Sequence, residues 1–318
     1  MAEVSMSDTS DFPRMTPYGS KWEPPSSARQ RASLLAQKGF RLFGAATAPL
    51  RVDPDYLVIG TKRGGTTSMA RWLLDHPDVR GLYPEVEKRK GTYFFDVNYG
   101  LGHRWYRSHF PVGIVHRSLG RNNGTVPLIG DGTPYYLHHP HAPARARRHA
   151  PDTKIIALLR HPVDRALGHW AERTRNGVET LSFSEALQAE AGRLDGEEQR
   201  MTDDPTYVSF AHQHWSYADQ SRYARGLKRW FDAFPAEQIL VLRSEDLYAD
   251  PARIYGQTLD FMGLAHHEPA AFAAWNMKPK DPIDETDQAF LEAALRDDVA
   301  ELESMLGRSM QWEGLSNG

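Results

Sequence analysis

The sequence predicts an α/β fold, a three-layer sandwich whose central, mostly parallel sheet carries helices on both faces. Three observations predict it. Short apolar runs recur at Tyr56–Ile59, Lys154–Leu159 and Gln238–Leu242, and amphipathic helical patterns lie between them. These runs are continuously apolar rather than alternating, which suits strands covered on both faces. A Gly-rich turn joins the first run directly to its helix. Strands alternating with helices build a parallel sheet.

The elements follow in order. Residues 1–30 are rich in Ser, Pro and charge without periodicity and read as a flexible arm. Residues 31–50 form a short amphipathic helix in this reading, with Leu34, Leu35, Phe40, Leu42 and Phe43 as its stripe. That stripe packs on the domain or touches a membrane surface. The main domain runs over 51–312, and 313–318 form a tail. After the strand at Tyr56, a helix over Thr67–His76 places Met69, Trp72 and Leu73 on one face. The second strand leads through Arg160-His161-Pro162 into a helix from Val163. The third is preceded by a helix over Tyr223–Phe234. The polar stretch 190–213 suggests a lid or surface insertion. Phe290, Leu291, Leu295, Val299, Leu302 and Leu306 mark a last helix over 284–306.

Composition removes several function classes. The 318 residues contain no cysteine, which excludes thiolate catalysis, disulfides and Cys-ligated metals. Lys plus Arg is 38 against 41 Asp plus Glu, a net charge of −3, so no nucleic-acid partner is expected. No apolar run reaches the ~18 residues of a membrane span, and the N-terminus lacks a signal-peptide core. These features predict a cytoplasmic protein of unspecified oligomeric state.

The most informative stretch is Gly60-Thr61-Lys62-Arg63-Gly64-Gly65-Thr66-Thr67-Ser68. A Gly-rich turn between strand and helix aims backbone N–H groups and a helix N-terminus at an anion. The fold is thus P-loop-like. The Walker lysine is missing, because Thr66 follows Gly65, and the cations Lys62 and Arg63 lie inside the loop instead. A nucleotide kinase or NTPase needs that lysine on its terminal phosphates. A second anion site is expected where Arg160 leaves the 154–159 strand, at the strand end where open α/β sheets bind ligands. Arg165 is expected to pair with a surface carboxylate such as Asp164.

The loop TKRGGTTS and the block LLRHPVDRALGHW resemble the two cofactor motifs of the sulfotransferases. GDGTPYYLHHP, KGTYFFDVNYGLGHRWYRSHFP and SRYARGLKRWFDAFPAEQILVLRSEDLYADP resemble further blocks of heparan-sulfate-type members and their bacterial relatives. The five run in family order from about residue 55 to 263. The resemblance implies 3′-phosphoadenosine 5′-phosphosulfate (PAPS) as donor and no metal. It implies that Lys62, Arg63, Gly64, Gly65, Thr66, Thr67 and Ser68 hold the 5′-phosphosulfate and Arg160 the 3′-phosphate. Lys278, or Lys280, stands in for the family's adenosine loop. The implied reaction is an in-line sulfuryl transfer to a hydroxyl or amine of a carbohydrate, glycolipid or small metabolite, with Lys62 and Arg63 balancing charge.

Three departures mark this chain. Arg63 stands where the family's catalytic lysine usually stands, Gly168 replaces the serine on the 3′-phosphate, and Gly91 replaces the usual glutamate base. The base is therefore sought at Glu87 first, then at His103 and Asp131, with Glu85 and His109 also nearby. An inactive nucleotide-binding relative is the non-enzyme alternative. His138, His139 and His141 are expected on a pocket-rim loop rather than around an ion. Tyr93, Trp105, Tyr106, Tyr135 and Tyr136 could line an acceptor platform, whereas Phe94 and Phe95 belong in the core.

Overall fold

The computed structural model of the chain describes residues 27, 39–84, 90–275 and 282–316. Five strands form the sheet: β1 (Tyr56–Gly60), β2 (Val79–Arg80), β3 (Leu128–Gly132), β4 (Lys154–Leu159) and β5 (Ile239–Arg243). Their order is β2-β3-β1-β4-β5, and every pairing is parallel. Tyr56 pairs with Gly130 on one side and Lys154 on the other.

The helices are α1 (Thr66–Leu74), α2 (His103–Arg107), α3 (Gly113–Asn123), α4 (Ala142–His149), α5 (Pro162–Arg175) and α6 (Phe183–Leu194). They continue as α7 (Glu197–Asp203), α8 (Phe210–His214), α9 (Tyr223–Ala233), α10 (Ser244–Ala249), α11 (Pro251–Met262) and α12 (Glu285–Leu306).

Period-two alternation splits the strands between two cores. Leu57, Ile59, Ile155, Ala157, Leu159 and Val241 pack with α4, α5, α6, α9 and α12. Tyr56, Val58, Ile156, Leu158 and Leu242 pack with α1, α10 and α11. The sheet is therefore the middle of three layers. The chain leaves β1 toward β2 and β3 on one side and returns to β4 and β5 on the other. That reversal opens a crevice above the C-terminal ends of β1 and β4, where ligands of such sheets bind.

Three expectations change. The stretch 190–213 is not a lid: it lies in α6, α7 and α8, with Met201 buried. Buried Glu190 accepts hydrogen bonds from the Ala218 and Asp219 N–H groups at 2.8 Å each. The folded domain also passes residue 312, because Trp312 and Leu315 complete the core under α12. In the helix over 39–46, Leu42 and Phe43 are 73% and 62% exposed and Phe40 is half-buried, so these two do not pack on the domain, while Leu34 and Leu35 lie outside the described residues.

Candidate active site

β1 feeds the anion loop directly. The Thr61 N–H donates to the Leu158 carbonyl at 2.5 Å, tying the loop to β4, and Gly64 N–H closes a turn on the Thr61 carbonyl at 2.9 Å. Gly65 adopts φ 89°, a left-handed conformation that favours glycine. No side chain caps α1 at Gly65, so its first N–H groups face the loop as anion donors. The Ser244 hydroxyl holds the loop from behind by donating to the Gly64 carbonyl at 2.6 Å.

Cations gather over this loop. Lys62 Nζ donates to His169 Nε2 at 3.0 Å. Burial, then the Arg173 charge, drives the Lys62 ammonium well below its ordinary range. Burial and Lys62 do the same to His169, which accepts as a neutral ring. Arg160 Nη1 donates to the Arg63 carbonyl at 3.4 Å, and its other terminal nitrogen lies 3.9 Å from Asp164. Lys90 enters from a separate segment and donates to the Thr66 and Thr67 hydroxyls at 3.2 and 3.3 Å. Burial lowers the Lys90 ammonium to about 8.

Glu172 is the carboxylate among them. It bonds to Arg173 at 2.7 Å and lies 3.9 Å from Arg63. Burial pushes its carboxyl up, but Lys62, Arg173 and Arg63 together outweigh burial and hold it below its ordinary value. A Cβ added at Gly168 would lie 3.6 Å from both Arg160 Nη1 and Arg63 Nε, so position 168 faces the two guanidinium groups. The crevice thus carries an excess of positive charge at two points: Lys62, Lys90 and the α1 N-terminus at one, Arg63 and Arg160 at the other.

The remaining expected residues fall elsewhere. Ser68 is buried, and its hydroxyl accepts from Trp275 N–H at 3.0 Å, so it holds the 275 segment. Asp131 is fully buried and accepts from Thr92 N–H (2.9 Å), the Thr92 hydroxyl (2.5 Å), the Thr133 hydroxyl (2.8 Å) and the Tyr136 hydroxyl (2.9 Å). It is a strut that pins the segment after Lys90 against β3, which corrects its candidacy as base. His103 stacks on His149 at 4.3 Å and lies 3.8 Å from Asp53, at the opposite end of the sheet from the loop. That placement removes His103 from the chemistry. His109 is buried with Nδ1 against the Trp105 carbonyl at 3.0 Å. Glu85, Glu87, Lys278 and Lys280 lie outside the described residues.

Arg165 does not pair at the surface. It is buried, donating to the Ser221 hydroxyl at 2.6 Å and to the Tyr217 carbonyl. His138 leaves its two neighbours and stacks on His212 at 4.2 Å with rings 15° apart, 3.3 Å from Asp219. The ligand atoms of these three lie within 4.8 Å of one another. Both Asp219 oxygens already accept from Arg225, and His212 Nδ1 is hydrogen-bonded to the Tyr135 hydroxyl at 2.6 Å. Tyr106, Tyr135 and Tyr136 are buried in the core with Phe94 and Phe95, so they form no acceptor platform. Tyr93 stays half-buried beside the cleft at φ 55°.

The comparisons with known proteins agree with this geometry. The sequence model described as "Sulfotransferase domain" matches residues 53–274. The chain belongs to the sulfotransferase domain family. It is 24% identical to the membrane-associated sulfotransferase kil1 of Dictyostelium discoideum, over 82% of this chain and 66% of that protein. It is 32% identical to mouse heparan sulfate glucosamine 3-O-sulfotransferase 6, over 66% of this chain and 52% of that protein. The chain thus spans from about half to two thirds of these relatives. A solved sulfotransferase from Alicyclobacillus acidocaldarius superposes with TM-score 0.58 at 26% identity, covering 81% of this chain and 97% of that one.

Within this sulfotransferase domain, the structure adds two site residues to those read from sequence. Lys90 was visible only as the first residue of the KGTYFF block, and nothing local shows that it crosses to Thr66. Glu172 had a usable signal: it follows Gly168 by four residues, which puts both on one face of α5. The structure also explains Gly91. A Cβ there would lie 2.4 Å from the Gly132 carbonyl and 2.5 Å from the Thr133 hydroxyl, so the usual position of the family's glutamate admits no side chain.

Proposed function

We propose that the protein transfers a sulfuryl group from PAPS to a hydroxyl or amine of a carbohydrate, glycolipid or small-metabolite acceptor. The observation that carries this reading is the pair of cationic points in one crevice. The α1 N-terminus with Lys62 and Lys90 suits the 5′-phosphosulfate. Arg160 and Arg63, facing position 168, suit the 3′-phosphate. A donor carrying phosphate at both ends of one nucleoside would present one anionic group to each point, and the heparan sulfate relatives make a sugar hydroxyl the leading acceptor.

The residues present define the work. Sulfuryl transfer spreads charge over equatorial oxygens, so catalysis is positioning and electrostatic stabilisation. Lys62, at the 5′-phosphosulfate point, would neutralise charge on the bridging oxygen as the phosphate departs. Lys90, hydrogen-bonded to both loop hydroxyls, places an ammonium where a P-loop kinase keeps its hydroxyl-bound magnesium. That charge disfavours a divalent ion beside Thr67 and argues against the kinase reading.

Incubation with sulfur-labelled PAPS tests the proposal. Label passing to desulfated heparan oligosaccharides, a glycolipid extract or small phenols, with release of 3′,5′-adenosine bisphosphate (PAP), is the expected result. Label that stays on the nucleotide with every acceptor contradicts it.

A further inference from the structure

With position 91 closed, the acceptor's proton needs another destination. We propose that Glu172 receives it, acting as the general base of the transfer; this rests on the sulfotransfer reading above. Four observations converge on this carboxylate. It lies on α5 four residues after Gly168, on the helix face that meets Arg63 and Arg160. Its Oε2 faces Arg63 at 3.9 Å while Arg173 holds Oε1 at 2.7 Å, leaving one oxygen directed to the loop. Its side chain remains 25% exposed, so an acceptor can reach it. Of two other described carboxylates of this neighbourhood, Asp164 faces Arg160 at 3.9 Å, and Asp131 is fully buried with four donors already on it.

The groups around Glu172 explain how its basicity is timed. Lys62 and Arg63 face it from the loop, Lys90 and Tyr93 from the segment over β3, and Arg173 from its own helix. With the crevice open to water these cations keep the carboxylate weakly basic. A bound donor brings anionic oxygens to Lys62, Arg63 and Lys90 and cancels their hold. The carboxylate then becomes a stronger base when the acceptor arrives. In the step itself, the acceptor oxygen forms a bond to sulfur. The bond from sulfur to the bridging oxygen breaks and its electron pair leaves with PAP. The acceptor proton passes to Glu172.

The test compares wild type with Glu172→Gln and Glu172→Asp. PAP affinity is measured by calorimetry, and PAP release from PAPS is measured with desulfated heparan oligosaccharides and with water alone as acceptor. Gln keeps the hydrogen bond to Arg173 but cannot take a proton. The expected result is PAP affinity equal to or tighter than wild type, with kcat lower by roughly 10²–10⁴-fold. The wild-type rate should fall on acidification as Glu172 protonates, Gln should flatten that limb, and Asp should restore part of the rate. A Glu172→Gln rate within about threefold of wild type at every pH overturns the assignment and leaves Glu172 as a counter-ion. A wild-type protein that neither binds PAP nor consumes PAPS instead overturns the sulfotransfer reading, and this inference with it.

Discussion

The two ends of the sheet both gather ionisable side chains, and they use them in opposite ways. At the N-terminal end, Asp53 sits 3.2 Å from Arg107 and 3.8 Å from His103, while His103 stacks on His149. Burial, and then His103, lowers His149 to about 4, so its ring stays neutral. Asp53 there is answered by Arg107, and the histidines serve as packing. At the C-terminal end, Lys62, Arg63, Lys90, Arg160 and Arg173 meet Glu172 and Asp164 with positive charge to spare. Density of titratable groups therefore does not mark the site. Unbalanced charge over a helix N-terminus does.

The sharpest break of this comparison is Lys62→Ala. Removing the half-buried Lys62 side chain from the loop should lower PAPS turnover by roughly 10²–10³-fold, as loss of one preorganised donor does elsewhere. Steady-state PAP release reads it directly, and a loss under tenfold would detach Lys62 from the reaction. Lys90 comes next. Its ammonium is lowered to about 8 by burial, so its charge is present below that pH and lost above it. PAP affinity should weaken as pH rises through about 8, and Lys90→Met should weaken it ~10-fold at neutral pH while removing Lys90's share of that pH dependence. A Met variant with an unchanged pH profile would place Lys90 outside the donor site.

Gly91 and Gly168 sharpen the contrast between a closed and an open position. Gly91→Ala forces a methyl to within 2.4 Å of the Gly132 carbonyl. It should cost about 1–3 kcal/mol of stability, read by chemical denaturation. At Gly168→Ser the added Cβ meets nothing closer than 3.6 Å, so the variant should fold normally and bind PAP more tightly. The reverse ranking would mean that the segment after Lys90 does not seat against β3 as described. The smallest effect is expected at the other end of the sheet. His103→Ala should leave PAPS turnover within about twofold and cost about 1 kcal/mol of stability for the lost stack. A large activity loss there would erase the distinction between the two ends.

Much of the fold was legible before the structure. Continuous apolar runs located β1, β4 and β5 to within a residue, because strands buried on both faces cannot hide their composition. The anion loop was legible because its glycines, hydroxyls and cations are contiguous. What failed depends on contacts between distant segments. The Lys90 ammonium reaches a loop 24 residues earlier, and no local pattern encodes that crossing. Asp131 and His103 have the chemistry of a base, and only burial and placement disqualify them. The polar stretch 190–213 resembles an insertion until Glu190 is seen capping the turn at Ala218. Gly91 was recognised as a departure, and the reason lies in the carbonyl of β3 that it touches.

The proposed function requires this crevice to hold a nucleotide phosphorylated at both ends. Calorimetric titration with PAP, against AMP and ATP, with and without magnesium, tests it most directly. The expected result is tight binding of PAP, independent of magnesium and strongly weakened when the 3′-phosphate is missing. Preference for ATP with magnesium, or equal affinity for PAP and AMP, would contradict it.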